Sequence, residues 1–154
     1  VVSRMGNLQP AVVQLTDDYL VAYCRRGGGY EGATDGYIVR TESRDGGRTW
    51  SEGKDSPFPN PNAAVDFIQL QNGHLMLVYN DSMSERTPLT AAISTDNDRT
   101  YPYKRNIAEG NNSFAYPTAI QTKDGTIHVI FTTNERTVIC HAVFEESAVL
   151  NPPR

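Results

Sequence analysis

The residue types in this chain that could do chemistry are arginines and a tyrosine at the ends of apolar runs. Arg25 follows one such run, Arg86 lies between two others, and Tyr116 precedes a further one. A guanidinium is a permanently charged, planar donor that matches a carboxylate with two parallel hydrogen bonds. A phenol, whose ordinary pKa is about 10, becomes a nucleophile when a base stands beside it. Their positions alone do not distinguish a site for an acidic ligand from a surface arginine, a loop ion pair and a core tyrosine, which are the open alternatives.

The remaining reactive residue types indicate neither a metal nor a cofactor. His74, His128 and His141 are scattered and lack the spacing of metal ligands. Cys24 and Cys140 each lie in an apolar, strand-like run. Since free cysteines are commonly buried and no spacing supports a disulfide, we expect two buried free thiols.

Composition restricts the classes of protein and partner. The chain has 154 residues, of which 38% are apolar and 21% charged, which is typical of one globular domain. Its net charge of −4 disfavours nucleic acid, which attracts basic surfaces. No apolar run approaches the roughly 18 residues that span a bilayer. We therefore predict neither a nucleic-acid nor a membrane partner, and the sequence indicates no compartment.

A threefold repeat runs through the chain. Each copy contains an apolar run, a short turn rich in Asp or Asn, and a second apolar run. Asn-Gly and Asp-Gly turns indicate β-hairpins because both residues adopt positive φ readily. The copies begin at Pro10, Val65 and Pro117, at offsets of 55 and 52 residues.

A third apolar run follows each hairpin, so each copy of the repeat contains at least three predicted strands. Four strands in a period of about 50 residues match one propeller blade. The sequence therefore predicts an all-β fold of three four-stranded blades in one domain, over approximately residues 7–58, 61–108 and 113–146. No fourth strand is evident in the last blade, since residues 147–154 contain two prolines. A β-sandwich is the alternative, but it leaves the repeat unexplained.

The turn after the first of these third runs carries a motif. Residues 43–50 fit the pattern Ser-x-Asp-x-Gly-x-Thr-Trp, and a degenerate copy occupies residues 94–101, with Asp98 for the glycine and Tyr101 for the tryptophan. The motif resembles the Asp-box of sialidase-like β-propellers. We expect it to be structural rather than catalytic. Its elements are Ser43, Asp45 as acceptor of turn hydrogen bonds, Gly47 with an unusual φ, and Trp50 buried between blades.

The resemblance covers nearly the whole chain and implies the three C-terminal blades of a six-bladed propeller, that is, half a propeller. Three blades leave two open sheet faces, which favour association. A homodimer would close a ring of six blades around a shared channel. The alternative is that the chain is a piece of a longer product.

The same resemblance implies roles for individual residues. In sialidases three arginines clamp the substrate carboxylate, a tyrosine is the nucleophile, a glutamate activates it, and an aspartate is the acid/base. Arg25 and Arg86 stand at the places of two clamp arginines, and Tyr116 stands at that of the nucleophile. Gln9 replaces the glutamate, and an amide does not accept the tyrosine proton. The first arginine and the aspartate have no counterpart.

Two functional hypotheses follow. The first is a sialidase-like, glycan-handling domain that binds an acidic sugar at Arg25, Arg86 and Gln9, with Tyr116 as the catalytic residue of a weak or absent exo-sialidase activity. The second is a non-catalytic binding or assembly module that retains only the propeller scaffold. Whether the chain is an enzyme is left open by the sequence. A shared fold does not by itself imply a shared function.

Overall fold

The computed structural model describes residues 1–29 and 34–151. These residues form eleven strands and one short helix. The strands are β1 (Asn7–Gln14), β2 (Leu20–Arg26), β3 (Tyr37–Ser43), β4 (Lys54–Pro59), β5 (Asp66–Gln69), β6 (Leu75–Asn80), β7 (Leu89–Ser94), β8 (Tyr103–Ala108), β9 (Ala115–Gln121), β10 (Ile127–Thr133) and β11 (Val138–Phe144), and the helix is α1 (Ser147–Leu150).

The strands form three antiparallel sheets in which neighbours along the chain are neighbours in the sheet. The first sheet has the order β1-β2-β3-β4, the second β5-β6-β7-β8, and the third β11-β10-β9. The predicted all-β fold of successive blades is therefore confirmed. Within the described ranges the third sheet has three strands, not the four expected of a full blade. Helix α1 packs its buried Val149 into the core beside the second sheet, and Arg105 Nη1 donates to Ala148 O at 3.0 Å. Pro152 and Pro153 lie outside the described residues.

The hairpin turns differ in detail from the expected two-residue type. In the second hairpin Gly73 N donates to Leu70 O at 2.9 Å, and Leu70 N donates to His74 O at 2.8 Å. Gly73 has a φ of 87°, and Asn72 is not among the residues with positive φ. This is a longer loop with glycine at its left-handed position, a geometry that also joins strands without splaying them. The third hairpin repeats the pattern at Gly125, whose φ is 89°.

The core lies in two layers on the two faces of the middle sheet. Successive side chains of a strand point to opposite faces. On β6, Leu75 and Leu77 therefore pack toward the first sheet, and Met76 and Val78 pack toward the third. Every residue of β6 and β7 is buried. The middle sheet thus has the packing of an internal blade.

The outer faces of the first and third sheets remain exposed and apolar. Ile120, Ile139 and Val143 on the third sheet are 57%, 74% and 54% exposed, and Val12 on the first is 46% exposed. Isolated exposed apolar residues are common, but contiguous apolar sheet faces mark interaction surfaces. Each end of the stack therefore presents an open sheet face that carries exposed apolar side chains.

The predicted Ser-x-Asp turns form the same hydrogen bonds at both places. Ser43 Oγ donates to Asp45 Oδ1 at 2.8 Å, and Asp45 accepts from Thr49 N and Thr49 Oγ1 at 2.8 and 2.6 Å. Gly47, with a φ of 87°, donates its N–H to Ser43 Oγ at 2.9 Å. The second turn repeats these contacts through Ser94, Asp96 and Thr100. Both carboxylates act as acceptors for the turn backbone, as expected.

The aromatic residues that end the two turns have different environments. Trp50 is partly buried on the outer face of the first sheet, against Ala22, Cys24 and Val39. It does not lie between two sheets of the described chain, which corrects the expectation of burial between blades. Tyr101, its counterpart, does lie between the first and second sheets. Tyr101 packs toward the sheet that precedes its own. Among the described residues no sheet precedes the first one, so Trp50 has no such partner.

Acidification is expected to weaken both turns. Hydrogen bonds from the Thr49 side chain and backbone and from Ser43 lower the pKa of Asp45 from 3.8 to about 2, and the equivalent contacts do the same for Asp96. A depressed pKa adds stability above the unfolded value, and that stability is lost as the pH falls from about 4 through about 2. Urea unfolding midpoints measured between pH 2 and pH 5 should fall more steeply for the native chain than for an Asp45→Asn, Asp96→Asn variant. Parallel curves would show that the two carboxylates contribute nothing to acid sensitivity.

Both cysteines are free, as predicted. Cys24 is buried, and burial raises the pKa of its thiol. Cys140 is only partly buried, which corrects the expectation that both thiols are buried. Among residues 1–29 and 34–151, no three His, Cys, Asp or Glu side chains cluster closely enough to hold a metal ion. No helix in the same ranges combines the length and apolarity of a membrane span.

Candidate functional site

Gln9 and Tyr116 share an unusual backbone conformation. Each precedes a proline and has a positive φ, 50° at Gln9 and 54° at Tyr116. At both places the pairing with the neighbouring strand shifts register, between Leu8 and Pro10 in β1 and opposite Tyr116 in β10. Such a bulge re-aims a side chain away from the regular alternation of a strand. The repeat therefore gives the two residues equivalent geometry, as their matching sequence positions predict.

Arg25 is held in a fixed position near the end of β2. Only 4% of the residue is exposed. Its Nε donates to Asn62 Oδ1 at 2.7 Å, and its Nη1 donates to Gln9 Oε1 at 2.9 Å. A buried guanidinium needs such partners because an uncompensated charge away from water is strongly unfavourable. Arg25 is thus a positioned cation rather than a solvated surface arginine.

Asn62 connects the two arginines, and sequence reasoning gave it no role. Its side-chain oxygen accepts from Arg25, its backbone oxygen accepts from Arg86 Nη2 at 3.2 Å, and its amide nitrogen donates to Gly28 O and Gly29 O. The residue is buried and has a φ of 57°. Asparagine tolerates the left-handed region better than most residues. An asparagine within the proline-rich segment 59–62 was the available sequence signal.

Arg86 lies in the loop between β6 and β7 and faces Tyr116. Its guanidinium carbon is 5.7 Å from the centroid of the Tyr116 ring. The carbonyl of Arg86 also accepts from Phe114 N at 2.8 Å. This contact ties the loop to the segment that leads into β9. The second sheet and the third sheet therefore supply adjacent parts of one site.

The surroundings of Tyr116 favour its ionised form. Burial acts to raise the pKa of the phenol, but interactions with the guanidinium groups of Arg86, Arg136 and Arg25 outweigh it, and the pKa lies below its ordinary value. Opposite charges near an acid stabilise its charged form. Three arginines that line the same cleft thus favour the ionised form of this phenol.

These residues line an open cleft of about 650 Å³. Its walls are formed by Arg25, Arg86, Ser113, Tyr116, Glu135 and Arg136. Three of the four predicted site residues are among them. The fourth, Gln9, contacts Arg25 but is not part of the lining. Sequence reasoning missed Ser113, Glu135 and Arg136. For Glu135 and Arg136 the available signal was their position just after the second strand of the third repeat. Arg25 lies at the end of the second strand of the first repeat.

Asp66 lies near this end of the sheets but has a structural role. Its Oδ2 accepts from Ala119 N at 2.6 Å, and its Oδ1 accepts from Phe67 N at 3.0 Å. The first contact joins β5 to β9. The carboxylate therefore links the first strand of the second sheet to the first strand of the third sheet.

Several sialidases are among the solved structures that are similar to this chain. The chain is similar to the Hadza microbial sialidase Hz136, with 18% identity and a TM-score of 0.74 over 96% of this chain and 29% of that one. It is also similar to the NanB sialidase from Streptococcus pneumoniae, with 20% identity and a TM-score of 0.73 over 91% of this chain and 23% of that one. The intramolecular trans-sialidase from Ruminococcus gnavus gives 18% identity and a TM-score of 0.75, over 94% of this chain and 34% of that one.

The chain therefore spans about a quarter to a third of these proteins. At such identities the likeness shows a common fold, which is the sialidase-like fold that the repeat and the turn motif indicated. No curated protein has a sequence that matches this chain. Residues 1–129 match the model of the BNR repeat-like domain, and the chain belongs to that family.

Proposed function

We propose that this chain is a glycan-handling domain of the sialidase type that binds an acidic sugar in the cleft, with weak or absent exo-glycosidase activity. The observation that carries the proposal is the convergence of Arg25, Arg86 and Arg136 on Tyr116 in one cleft of about 650 Å³. A carboxylate fits this arrangement because a guanidinium binds it through two parallel, charge-assisted hydrogen bonds.

Binding is better supported than catalysis. Gln9 occupies the place of the activating glutamate, and its side-chain oxygen already accepts a hydrogen bond from Arg25. An amide does not act as a general base at neutral pH. The cations around Tyr116 lower the pKa of its phenol and so replace part of the missing activation. Among the six residues that line the cleft, the one carboxylate is Glu135, which lies on an exposed turn.

Titration with N-acetylneuraminic acid, followed by calorimetry or by NMR, tests the proposal. We expect saturable binding that weakens as salt is added, since the attraction is largely ionic. Galactose, which has no carboxylate, is the control and should not bind. Hydrolysis of a fluorogenic aryl sialoside separates a weak enzyme from a binding module. Binding of both sugars alike, or of neither, would favour the non-catalytic assembly module.

We also propose that residues 1–154 form one half-propeller domain that dimerises through its two open faces. The exposed apolar face of the third sheet and that of the first sheet lie at opposite ends of the stack. A twofold axis would bring the first face of one copy onto the third face of the other, twice. Six sheets would then surround a shared channel.

The dimer predicts a solution mass of about 34 kDa by light scattering, twice the 17.0 kDa of one chain. Ile139→Asp should give the monomer mass, because it places a charge in the proposed contact while changing a side chain that is 74% exposed in the single chain. Val12→Asp should act in the same way, since Val12 lies on the outer face of the first sheet and both faces enter each contact. A mass of 17.0 kDa that does not rise with protein concentration would contradict the dimer.

A further inference from the structure

The turn between β10 and β11 contributes two of the residues that line the cleft, and its backbone is unusual. Asn134, Glu135 and Arg136 have φ angles of 47°, 53° and 70° in succession. A side chain in the left-handed region is unfavourable by about 1 kcal/mol per residue. Three consecutive left-handed residues without a glycine therefore need contacts that hold them.

Those contacts come from the loop that precedes β9. Asn112 Nδ2 donates to Asn134 Oδ1 at 2.7 Å, and Asn112 Oδ1 accepts from Asn134 N at 3.2 Å and from Ser113 N at 2.8 Å. Within the turn, Thr137 N and Thr137 Oγ1 donate to Asn134 O at 3.1 and 2.6 Å. These hydrogen bonds hold the two loops together. The turn is thereby fixed in a position in which Glu135 and Arg136 line the cleft.

The turn places opposite charges next to each other at the rim. Arg136 adds a cation to the pair formed by Arg25 and Arg86, whereas Glu135 adds an acceptor that repels simple anions. A ligand that satisfies both must carry an anionic group and a hydrogen-bond donor side by side. An acidic sugar, with a carboxylate beside hydroxyl groups, has this chemistry.

We propose that the Glu135–Arg136 turn is the ligand-selecting element of the cleft: Arg136 is a third cation for the carboxylate, and Glu135 accepts a hydrogen bond from a neighbouring hydroxyl. The proposal rests on the proposed binding of an acidic sugar. Tyr116 supports the position of Arg136 independently of any ligand, because the guanidinium interacts with its phenol and lowers the pKa.

The test compares variants of the turn in the full chain, with N-acetylneuraminic acid as the probe. Arg136→Ala should weaken binding by about tenfold, as expected for one charge-assisted contact in a partly solvated cleft. Arg48→Ala is the matched control, since Arg48 lies in the 43–50 turn outside the cleft, and should bind as the native chain does. Glu135→Gln keeps an acceptor oxygen and should bind more tightly than Glu135→Ala.

A second measurement does not depend on the ligand. The absorbance titration of Tyr116, isolated as the difference from Tyr116→Phe, should move to higher pH in Arg136→Ala and stay unchanged in Arg48→Ala. Native-like sugar binding by Arg136→Ala, while the native chain binds, would overturn the role of Arg136 and leave the proposed function intact. Equal or tighter binding by Glu135→Ala than by Glu135→Gln would overturn the role of Glu135. No binding by the native chain would overturn the proposed function and this inference with it.

Discussion

Replacing Asp98 with alanine is expected to destabilise the fold by about 3 kcal/mol or more, because it breaks a buried, charged network. The Asp98 side chain is 1% exposed and forms an ion pair with Arg40 at 2.8 Å. Its Oδ1 accepts from Tyr23 Oη at 2.8 Å and from Tyr101 Oη at 2.6 Å. Burial raises the pKa of both phenols, so they remain donors. The carboxylate thus joins the first sheet to the second, and its loss leaves three donors without their acceptor.

Two companion variants separate the network from the backbone. Asp98 has a φ of 70°, so alanine there also introduces strain that glycine does not. Asp98→Gly should recover about 1 kcal/mol relative to Asp98→Ala but remain well below the native stability. Asp98→Asn keeps one acceptor oxygen and tolerates the left-handed conformation, so it should lose least. Urea unfolding at neutral pH measures all three. Equal stability of Asp98→Gly and the native chain would show that the network contributes nothing.

Replacing Arg25 with alanine is expected to weaken binding of N-acetylneuraminic acid by about a hundredfold, within the range for a buried, charge-assisted contact. Arg25 is the most buried of the three arginines that line the cleft, and Asn62 and Gln9 hold it in place. The bound carboxylate would therefore meet a guanidinium whose orientation is already fixed. A smaller loss is expected for Arg25→Lys, which keeps the charge but not the planar fork.

The effect on binding must be separated from an effect on folding. Arg25→Ala leaves Asn62 and Gln9 without a donor and should lower stability by about 1 to 3 kcal/mol. Binding is therefore compared under conditions in which circular dichroism shows the variant to be folded. Tyr116→Phe removes one hydroxyl at a more exposed site and serves as a milder variant of the same cleft. Native affinity in folded Arg25→Ala would exclude Arg25 from the binding site.

The regular part of the fold could be predicted because its signals are local. The repeat whose copies begin at Pro10, Val65 and Pro117 sets the order of strands and turns. The near-continuous apolar runs of β6 and β7, bounded by turns, are enough to predict strands. The Ser43–Asp45 and Asp45–Thr49 contacts join residues at most four apart in the chain, so the motif shows them directly. Gln9 and Tyr116 could be placed at one end of the sheets because they occupy equivalent positions of the repeat, whereas Arg25 and Arg86 were assigned to the same site through the resemblance to sialidases.

The chemistry of the site depended on contacts that no local pattern specifies. The sequence by itself determined an all-β repeat of the BNR type, its structural turns, and a set of arginines near a tyrosine. Only the tertiary structure decided that Asn62 bridges Arg25 and Arg86, and that the Glu135–Arg136 turn lines the cleft. The tertiary structure also decided that Asp98 joins the first sheet to the second through Arg40 and Tyr23. The physical reason is that these contacts join residues far apart in the chain and depend on left-handed backbone and register shifts, which follow from how the sheets pack rather than from any run of neighbouring residues.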